Sequence, residues 1–514
     1  MLVFKMKYYL YKYVLVFATL ALCGCNDFLD KIPDSDIDVN IDNEEGIAQL
    51  LAGAYPEASY IPFLEPRTDN VDIRANGTHT QLNEEMFYWE DDTQEDIDTP
   101  LNYWNSCYKG IAQANKALEL LKKYPKNERV KALYGEAFLL RAYLHFMLVN
   151  IWAEPYGNAE QSPGIPYVNK PEKHALTNYN RGTVSEVYDS IESDLKRGVT
   201  LVSDRYYKQP KYHFNKKAAY TFASRFYLMK GEWEKVVEYA NYVLGADPKT
   251  MLRHWVGYSR QFEFKRQRLS TRYTSPDEPG NLLICTTESR WARQMPTDRY
   301  GSTKQTVDEI FNKRGIEGGG DFSKMTFDGT YPFVYSPSPI VNGKYIAKFD
   351  ELSTTESIGL RPRGIYVSNV LFTADEALLN RMEAYAMLKQ YDRAINDYLQ
   401  YMQGKFGFMP TVERDIYMRT SENNYDVYTP FYGMTLKQLA LVKLFADFRQ
   451  KEFFAEGLRW LDIRRFHLSV KRNTKSKYYF PLEKDDPRKV LQIPIEAQNR
   501  GLAPNPRERK ELIR

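Results

Sequence analysis

A pair of antiparallel helices joined by a tight turn is predicted by residues 218–248, which read AAYTFASRFYLMKGEWEKVVEYANYVLGADP. Gly231 marks the turn, Trp233 opens the second helix and Pro248 follows its end. Apolar and small residues recur at helical spacing on both sides of the turn, and small residues let two such helices approach closely. The pattern is typical of a tetratricopeptide repeat, in which helix pairs stack into a solenoid.

The helical period recurs elsewhere in the chain. It predicts helix pairs at about 101–150, 184–245 and 371–402, the last beginning with a helix from Leu371. In this last pair Met382 and Lys389 stand where small residues are expected. With at least three pairs, the sequence predicts an all-α-dominated protein with a tetratricopeptide-like α-solenoid scaffold.

Two stretches lack this period. Residues 56–100 and 246–369 are rich in loops, and the second is interpreted as a long insertion that carries little β structure. Short strands are predicted at 345–349 and 364–367, with no order in a sheet. Long irregular loops in a compact domain, such as the first stretch, are usually functional or disordered. A single helix is predicted at about 435–468.

The N-terminus has the features of an export signal. Three lysines precede an apolar run at 14–22, which is far shorter than the ~20 residues of a membrane-spanning helix. The sequence LCGC at 22–25 resembles a bacterial lipobox, which implies cleavage after Gly24 and acylation of Cys25 with fatty acids such as palmitate. Several acyl chains on one residue anchor a protein stably to a membrane. Ordinary secretion, with Cys25 as a structural thiol, is the alternative.

These features divide the chain into a signal peptide, a lipidated tether and a single domain, at residues 1–24, 25–41 and 42–514. Asp42 and Glu45 predict a capped start to the first helix. The acidic run 34–38 with Glu45 has the spacing of a calcium-binding loop, but Val39 stands where the sharp turn needs glycine. A solvated tether is therefore favoured.

Charge and cysteine content exclude several classes of protein. Removal of residues 1–24 leaves 67 basic residues against 67 acidic ones, so the mature chain lacks the basic surface of a nucleic-acid binder. Cys107 and Cys285 are the remaining unlipidated cysteines, which permits at most one disulfide. Stability must come from a packed core.

Catalytic motifs are absent from the sequence. There is no phosphate-binding P-loop, no GxSxG elbow and no HExxH zinc motif, and the six histidines never fall three or four residues apart. No pair of carboxylates stands in a context that marks acid–base catalysis. The protein is predicted to have no catalytic residues, no metal and no cofactor.

Residues 449–465, RQKEFFAEGLRWLDIRR, alternate apolar and charged side chains at helical spacing, which predicts a helix with internal ion pairs. This run resembles the C-terminal signature of the SusD/RagB-like family of nutrient-binding lipoproteins. Gln492 departs from the family pattern, because proline is commoner at its position. Further resemblances occur in family order at 25–33, 136–142, 152–168, 215–225 and 491–495.

The resemblance implies a lipoprotein on the outer face of the outer membrane. It captures oligosaccharides, or peptides in the RagB-like branch, and passes them to a SusC-like TonB-dependent transporter. Two alternatives remain open: a tetratricopeptide-type scaffold lipoprotein that binds only proteins, and a surface hydrolase. The structural signature residues are Glu452, Glu456, Gly457, Arg459, Trp460, Asp462, Arg464 and Arg465. Of these, Glu452, Glu456, Arg459 and Asp462 are interpreted as structural ion pairs.

The resemblance also implies that the ligand face is made by loops before the first helix pair and by the central insertion. Aromatic rings there would stack on sugar faces, while Arg and Asn side chains bind hydroxyls. The candidates are Asn76, Tyr88, Trp89, Arg290, Trp291, Arg293 and Tyr300. Alanine at Trp89 or Trp291 is expected to abolish ligand binding without unfolding the protein.

Overall fold

The structure is a computed structural model. It describes residues 41, 43–172, 179–262, 266–311, 333–335, 341, 343–354, 364–407, 410, 428–472 and 481–507. The lipobox-like motif with Cys25, the acidic run 34–38 and Asp42 lie outside these residues. The first described helix is capped by Asn43, whose side-chain oxygen accepts a 2.8 Å hydrogen bond from the Gly46 amide.

Helices dominate the part of the chain that the structure describes, which confirms the predicted fold class. They are α1 (Glu44–Ala52), α2 (Ile61–Leu64), α3 (Gln81–Phe87), α4 (Pro100–Leu120), α5 (Glu128–Trp152), α6 (Val184–Leu201), α7 (Lys216–Lys230), α8 (Trp233–Leu244), α9 (Trp255–Phe262), α10 (Arg266–Tyr273), α11 (Trp291–Gln294), α12 (Lys304–Phe311), α13 (Ala374–Met387), α14 (Tyr391–Phe406), α15 (Leu436–Glu452), α16 (Arg459–Arg465) and α17 (Ile495–Asn499).

Local sequence explains the ends of α7 and α8. Asn215 caps α7, since its side chain accepts a hydrogen bond from the Ala218 amide at 3.0 Å. Gly231 ends α7 in the left-handed conformation, with φ of 72°, and its amide donates back to the last turn. A left-handed residue at a helix end favours glycine, because a Cβ is strained there. The chain then reverses into α8, whose apolar side packs on α7.

The helices stack in an array. Helix α5 packs against α4 on one side and α6 on the other, and α7 packs against α8. Helix α13 packs on α8 although a long insertion separates them in sequence, and α14 and α15 then pack on α13. Helix α5 is long and apolar enough to cross a membrane, yet 94% of its most apolar window is buried inside the protein.

Buried ion pairs join neighbouring helices. The guanidinium groups of three arginines each donate two hydrogen bonds to one carboxylate on another helix. Such bidentate pairs fix both distance and orientation, and breaking one leaves a buried charge without its partner. The pairs are Arg141–Asp194 between α5 and α6, Arg225–Glu376 between α7 and α13, and Arg381–Asp397 between α13 and α14.

Seven short strands, all antiparallel in their pairing, occur among the described residues. They form a three-stranded sheet in the order β2-β7-β6 and two-stranded pairs β1-β3 and β4-β5. The strands are β1 (Asp72–Ile73), β2 (Asn281–Glu288), β3 (Tyr300–Gly301), β4 (Phe333–Tyr335), β5 (Lys344–Ile346), β6 (Glu351–Thr354) and β7 (Gly364–Thr373).

Two boundary predictions are wrong at this sheet. Strand β2 lies where a loop was expected, because its run NLLICTTE is buried on both faces and so shows no alternation. The helix expected from Leu371 begins at Ala374, since Leu371 and Phe372 continue strand β7. The Thr373 side chain then caps α13 by accepting a 3.0 Å hydrogen bond from the Glu376 amide.

The single helix expected at about 435–468 is also wrong, because the chain breaks between α15 and α16. Ala455 and Gly457 have φ of 67° and 73°, which no α-helix accommodates. Their amides donate hydrogen bonds of 3.0 and 2.8 Å to the buried Glu65 carboxylate. Burial raises the pKa of that carboxyl to about 7 despite these donors. A residue distant in sequence therefore stabilises the turn.

Candidate ligand-binding face

The two loop-rich regions that were expected to bind ligand lie side by side. Strand β1 pairs with β3, and the Arg74 amide donates to the Arg299 carbonyl at 2.7 Å. Further along, the Thr78 amide donates to the Thr297 carbonyl at 2.9 Å, and the Arg299 amide donates to Thr78 at 2.8 Å. Residues 72–78 and 297–301 thus form one surface. This surface, with His79, Glu84, Tyr88, Arg290 and Arg293 beside it, is called here the ligand face.

Arg74 fixes the insertion beneath this face. Its guanidinium donates to the backbone carbonyls of Ser302 and Met295 at 2.9 and 2.8 Å and to the Ser302 hydroxyl at 3.1 Å. The side chain is buried, and burial lowers its pKa to about 10. Because these donors are satisfied by the turn around Ser302, Arg74 holds the ligand face in position and does not bind a ligand.

Asn76 and Gly77 form the exposed turn of the face. Asn76 has φ of 57°, a conformation that asparagine tolerates better than most residues. A Cβ on Gly77 would lie 2.4 Å from the Arg299 Cα, so only glycine lets the two backbones approach this closely. The predicted candidate Asn76 is therefore presented to solvent beside Arg299.

Aromatic and acidic side chains form a patch on the ligand face. The Tyr300 hydroxyl donates to one Glu84 oxygen at 2.6 Å, and the other Glu84 oxygen lies 2.6 Å from His79 Nε2. These two hydrogen bonds lower the pKa of the Glu84 carboxyl. Tyr88 is half-buried and packs edge-on against the Tyr300 ring, with 5.8 Å between ring centroids. The patch combines an exposed acid, an imidazole and a tyrosine, groups that can bind hydroxyls.

Arg290 and Arg293 lie in the central insertion, a few residues before Tyr300 of the patch. Arg290 Nη1 donates to Asp96 at 2.7 Å, and its backbone amide donates to the buried Asp98 at the same distance. Burial raises the pKa of the Asp98 carboxyl to about 6. Arg293 Nε donates to Glu351 at 2.9 Å, and its side chain is more than half exposed. Both guanidinium groups remain open to solvent on one side.

The structure corrects the expectation for Trp89, Trp291 and Tyr300, all of which are buried. Trp89 is 1% exposed, and its indole Nε1 donates to the Arg67 carbonyl at 2.9 Å. The guanidinium carbon of Arg472 lies 4.7 Å from the Trp89 ring centroid, so the ring is covered inside the protein. Trp291 belongs to the main hydrophobic core, and Tyr300 is 3% exposed. A ligand cannot stack on these rings in this conformation.

Three residues of the face were missing from the predicted set: His79, Glu84 and Arg299. The guanidinium carbon of Arg299 lies 5.8 Å from the Tyr300 ring centroid. The only sequence signal was indirect, because His79 and Glu84 are polar residues just before and within a short helix of a loop-rich region. Tyr300, the partner of Glu84, lies more than 200 residues away, which no local pattern reveals.

The C-terminal signature lies in the interior. Glu452 is fully buried and accepts from Lys405 Nζ at 2.8 Å and from Trp255 Nε1 at 2.9 Å. Burial raises the pKa of Glu452, but the cations around it outweigh this and hold the pKa below its usual value. Glu456 pairs with Lys348 at 2.6 Å. The signature glutamates therefore tie the central insertion to the helical array.

The signature arginines and aspartate are paired in the same way. Arg459 binds both oxygens of Asp69, at 2.9 and 2.7 Å. Asp462 accepts from Arg465 at 2.7 Å and from Arg449 at 3.2 Å. Trp460, Gly457 and Arg464 complete this interior region: Trp460 is fully buried, Gly457 makes the turn, and Arg464 donates to the Ala153 carbonyl.

No disulfide joins the two cysteines of the described residues. Cys107 and Cys285 are both buried, and burial raises the pKa of the Cys107 thiol. Within the described ranges, no group of three or more His, Cys, Asp or Glu side chains is arranged to hold a metal ion.

Known proteins resemble this chain in sequence and in fold. A family model described as SusD-like, starch-binding and associating with the outer membrane matches residues 27–228. SusD-like protein P2 from Formosa agariphila is 23% identical over 259 residues, which is 47% of this chain and 48% of that protein. The similarity thus spans about half the length of this curated relative.

Solved structures share the fold over most of the chain. A SusD superfamily protein from Bacteroides thetaiotaomicron superposes with a TM-score of 0.63 at 16% identity, covering 90% of this chain and all of that one. A laminarin-binding SusD-like protein superposes with a TM-score of 0.56 at 14% identity, covering 90% of this chain and 98% of that one. Residues 27–228 are thus similar to the SusD-like family model, and the fold of most of the chain is that of SusD superfamily structures.

Proposed function

We propose that the protein is a lipid-anchored receptor on the cell surface that captures oligosaccharides and polysaccharide fragments and delivers them to a SusC-like TonB-dependent transporter. One observation carries the proposal: the match to the starch-binding, outer-membrane family model begins at Asp27, two residues after the lipobox-like Cys25. Acylation at Cys25 would therefore anchor the family-like segment to the membrane.

The ligand face supports glycan capture. Tyr88 offers a half-buried ring, Asn76 and Arg293 supply exposed hydrogen-bonding groups, and Arg290 supplies a partly exposed one. Sugars are bound by such combinations of a flat apolar surface and polar groups of fixed orientation. The protein is expected to bind its ligand without chemical turnover.

Glycan binding is tested with the purified chain lacking residues 1–25. Affinity electrophoresis and calorimetry against starch, laminarin, other polysaccharides and peptides should show selective binding to one glycan class, with the glycan recovered intact. Selective binding of peptides would instead favour a peptide receptor, and release of shorter products would favour a hydrolase. No binding across the panel would contradict glycan capture.

Anchoring and delivery need the full-length chain in its native membrane. Radiolabelled palmitate should be incorporated into the wild-type protein and not into Cys25→Ser. Affinity purification should recover a TonB-dependent transporter as the major partner. Recovery of a periplasmic assembly complex instead would support a scaffold and contradict delivery.

A further inference from the structure

A groove lies beside helix α4, apart from the ligand face. Trp104 and Tyr108 of α4 form one wall, and the C-terminal segment from Glu496 to Leu502 forms another. The volume enclosed is about 790 Å³, within the range of small-molecule sites. Ser106 and Lys109, on a different flank of α4, contact Glu57 instead. The helix thus separates the groove from the residues around Glu57.

The aromatic wall is rigidly held. Trp104 packs edge-on against the fully buried Trp152, with ring centroids 5.1 Å apart. Tyr108 lies 5.0 Å from Trp104, and its hydroxyl donates to the Pro166 carbonyl at 2.9 Å. Tyr179 is half-buried at the rim, where its hydroxyl donates to Glu172 at 2.6 Å. Trp104 is buried behind the wall, so the aromatic surface that the groove presents comes from the half-buried rings of Tyr108 and Tyr179.

The opposite wall is also anchored, although it lies near the end of the chain. Arg181 donates to the Ala503 carbonyl at 2.8 Å and to the Asn505 side chain at 2.6 Å. The Asn505 amide in turn donates to the Trp152 carbonyl at 2.9 Å. Because both walls are fixed to the core around Trp152, the groove exists without a ligand and costs little ordering when one binds.

The polar groups at the groove suit a neutral, hydroxyl-rich ligand. Two exposed amides, two carboxylates and one guanidinium line it, so both donors and acceptors are available and the formal charge of the lining is only −1. Its walls are helices and loops, with no strand edge among its lining residues to pair with a peptide backbone. The polar lining residues are Asn105, Glu172, Glu496, Asn499 and Arg500.

We infer that this groove is a second saccharide-binding site, which takes a neutral oligosaccharide packed on the half-buried rings of Tyr108 and Tyr179. The inference rests on the proposed function, since it assumes that the protein binds glycans. Two sites on one chain would raise the avidity for long polysaccharides that reach both.

The test is calorimetry with maltoheptaose and laminarihexaose, using wild-type chain lacking residues 1–25. Two molecules of the bound sugar are expected per chain. The double variant Asn499→Ala/Arg500→Ala removes exposed groups only and should weaken one of the two sites by about tenfold or more. Ala497→Trp, which fills the groove, should reduce the stoichiometry to one. Arg260→Ala, an exposed arginine elsewhere, is the matched control and should bind as wild type.

The outcomes separate the two proposals. Binding of one sugar per chain that is unchanged by both groove variants would overturn the second site and leave glycan capture standing. Binding in the groove of a neutral hexapeptide in place of both sugars would overturn the saccharide assignment. If neither sugar binds and no glycan of the wider panel does, glycan capture fails and the second site fails with it.

Discussion

Glu452 and Glu84 are both glutamates that accept a hydrogen bond from an aromatic side chain, yet they lie in opposite surroundings. Glu452 is fully buried between Lys405, Arg253 and Trp255. The Glu84 side chain is 40% exposed, so part of it faces solvent at the ligand face. A glutamate whose partners are all buried therefore stabilises the fold. A glutamate whose side chain is partly exposed can also bind a ligand. The following predictions change one member of this contrast at a time.

The largest effect is expected inside the signature. Glu452→Ala leaves Lys405 and Arg253 buried without this partner, which should lower the free energy of unfolding by about 3–5 kcal/mol. Urea unfolding measures the change. Glu45→Ala removes an exposed partner of Arg129 and should leave the midpoint unchanged. Equal effects of the two variants would contradict the structural role of Glu452.

Adjacent residues of the predicted site offer a second contrast. Trp89→Ala removes a fully packed ring and should cost about 3–5 kcal/mol of unfolding free energy. This replaces the expectation that alanine at Trp89 abolishes binding without unfolding. Tyr88→Ala removes a half-buried ring and should cost clearly less. Thermal unfolding of the two variants compares them, and a stable, well-folded Trp89→Ala protein would contradict the burial of that ring.

A pH dependence is expected from Asp298, which is buried beneath the ligand face. Burial raises its pKa from 3.8 to about 7, so the folded state holds a proton that the unfolded state has lost between these values. Stability from this group is therefore lost as pH rises through that window, at no more than about 1.4 kcal/mol per pH unit.

Asp298→Asn should flatten this part of the pH profile when unfolding is measured from pH 4 to pH 8. The matched control is Asp189→Asn, which changes an exposed aspartate on α6 and should leave the profile as in wild type. An unchanged slope in Asp298→Asn would show that another group controls stability in this range.

The smallest stability difference is expected between two glycines of the same conformation. Gly457 in the signature turn and Gly407 after α14 have φ of 73° and 72°. A Cβ at Gly457 would lie 3.3 Å from the Leu64 side chain, whereas a Cβ at Gly407 meets nothing within 4 Å. Alanine should cost about 1 kcal/mol at Gly407 from backbone strain alone, and about 2 kcal/mol at Gly457. Equal costs would show that the signature turn is not tightly packed.

The sequence predicted the repeating part of this fold well, because its information is local. Helices α7 and α8 begin and end at a cap, a turn glycine and a proline that act within a few residues. Strand β2 was missed because a run buried on both faces carries no period. The break after Glu452 was missed because it depends on Glu65, nearly 400 residues away.

The candidate site was predicted only in outline. Both loop regions meet as expected, since the β1–β3 pairing brings them together. The exposure of individual rings did not follow from sequence: Trp89 is covered by Arg472, whereas Tyr88 beside it reaches the surface. Which of two neighbouring aromatics is buried depends on tertiary contacts that residue type and spacing do not encode.

Glycan binding at the ligand face is tested most directly by removing two of its side chains. The decisive measurement is calorimetric titration of the preferred glycan into wild type, the double variant Tyr88→Ala/Arg290→Ala and the control Tyr242→Ala, which changes an exposed tyrosine on α8. We expect the double variant to remain folded and to lose affinity at this face by about tenfold or more, with the control unchanged. Unchanged affinity in the folded double variant would place the glycan elsewhere and contradict the ligand face.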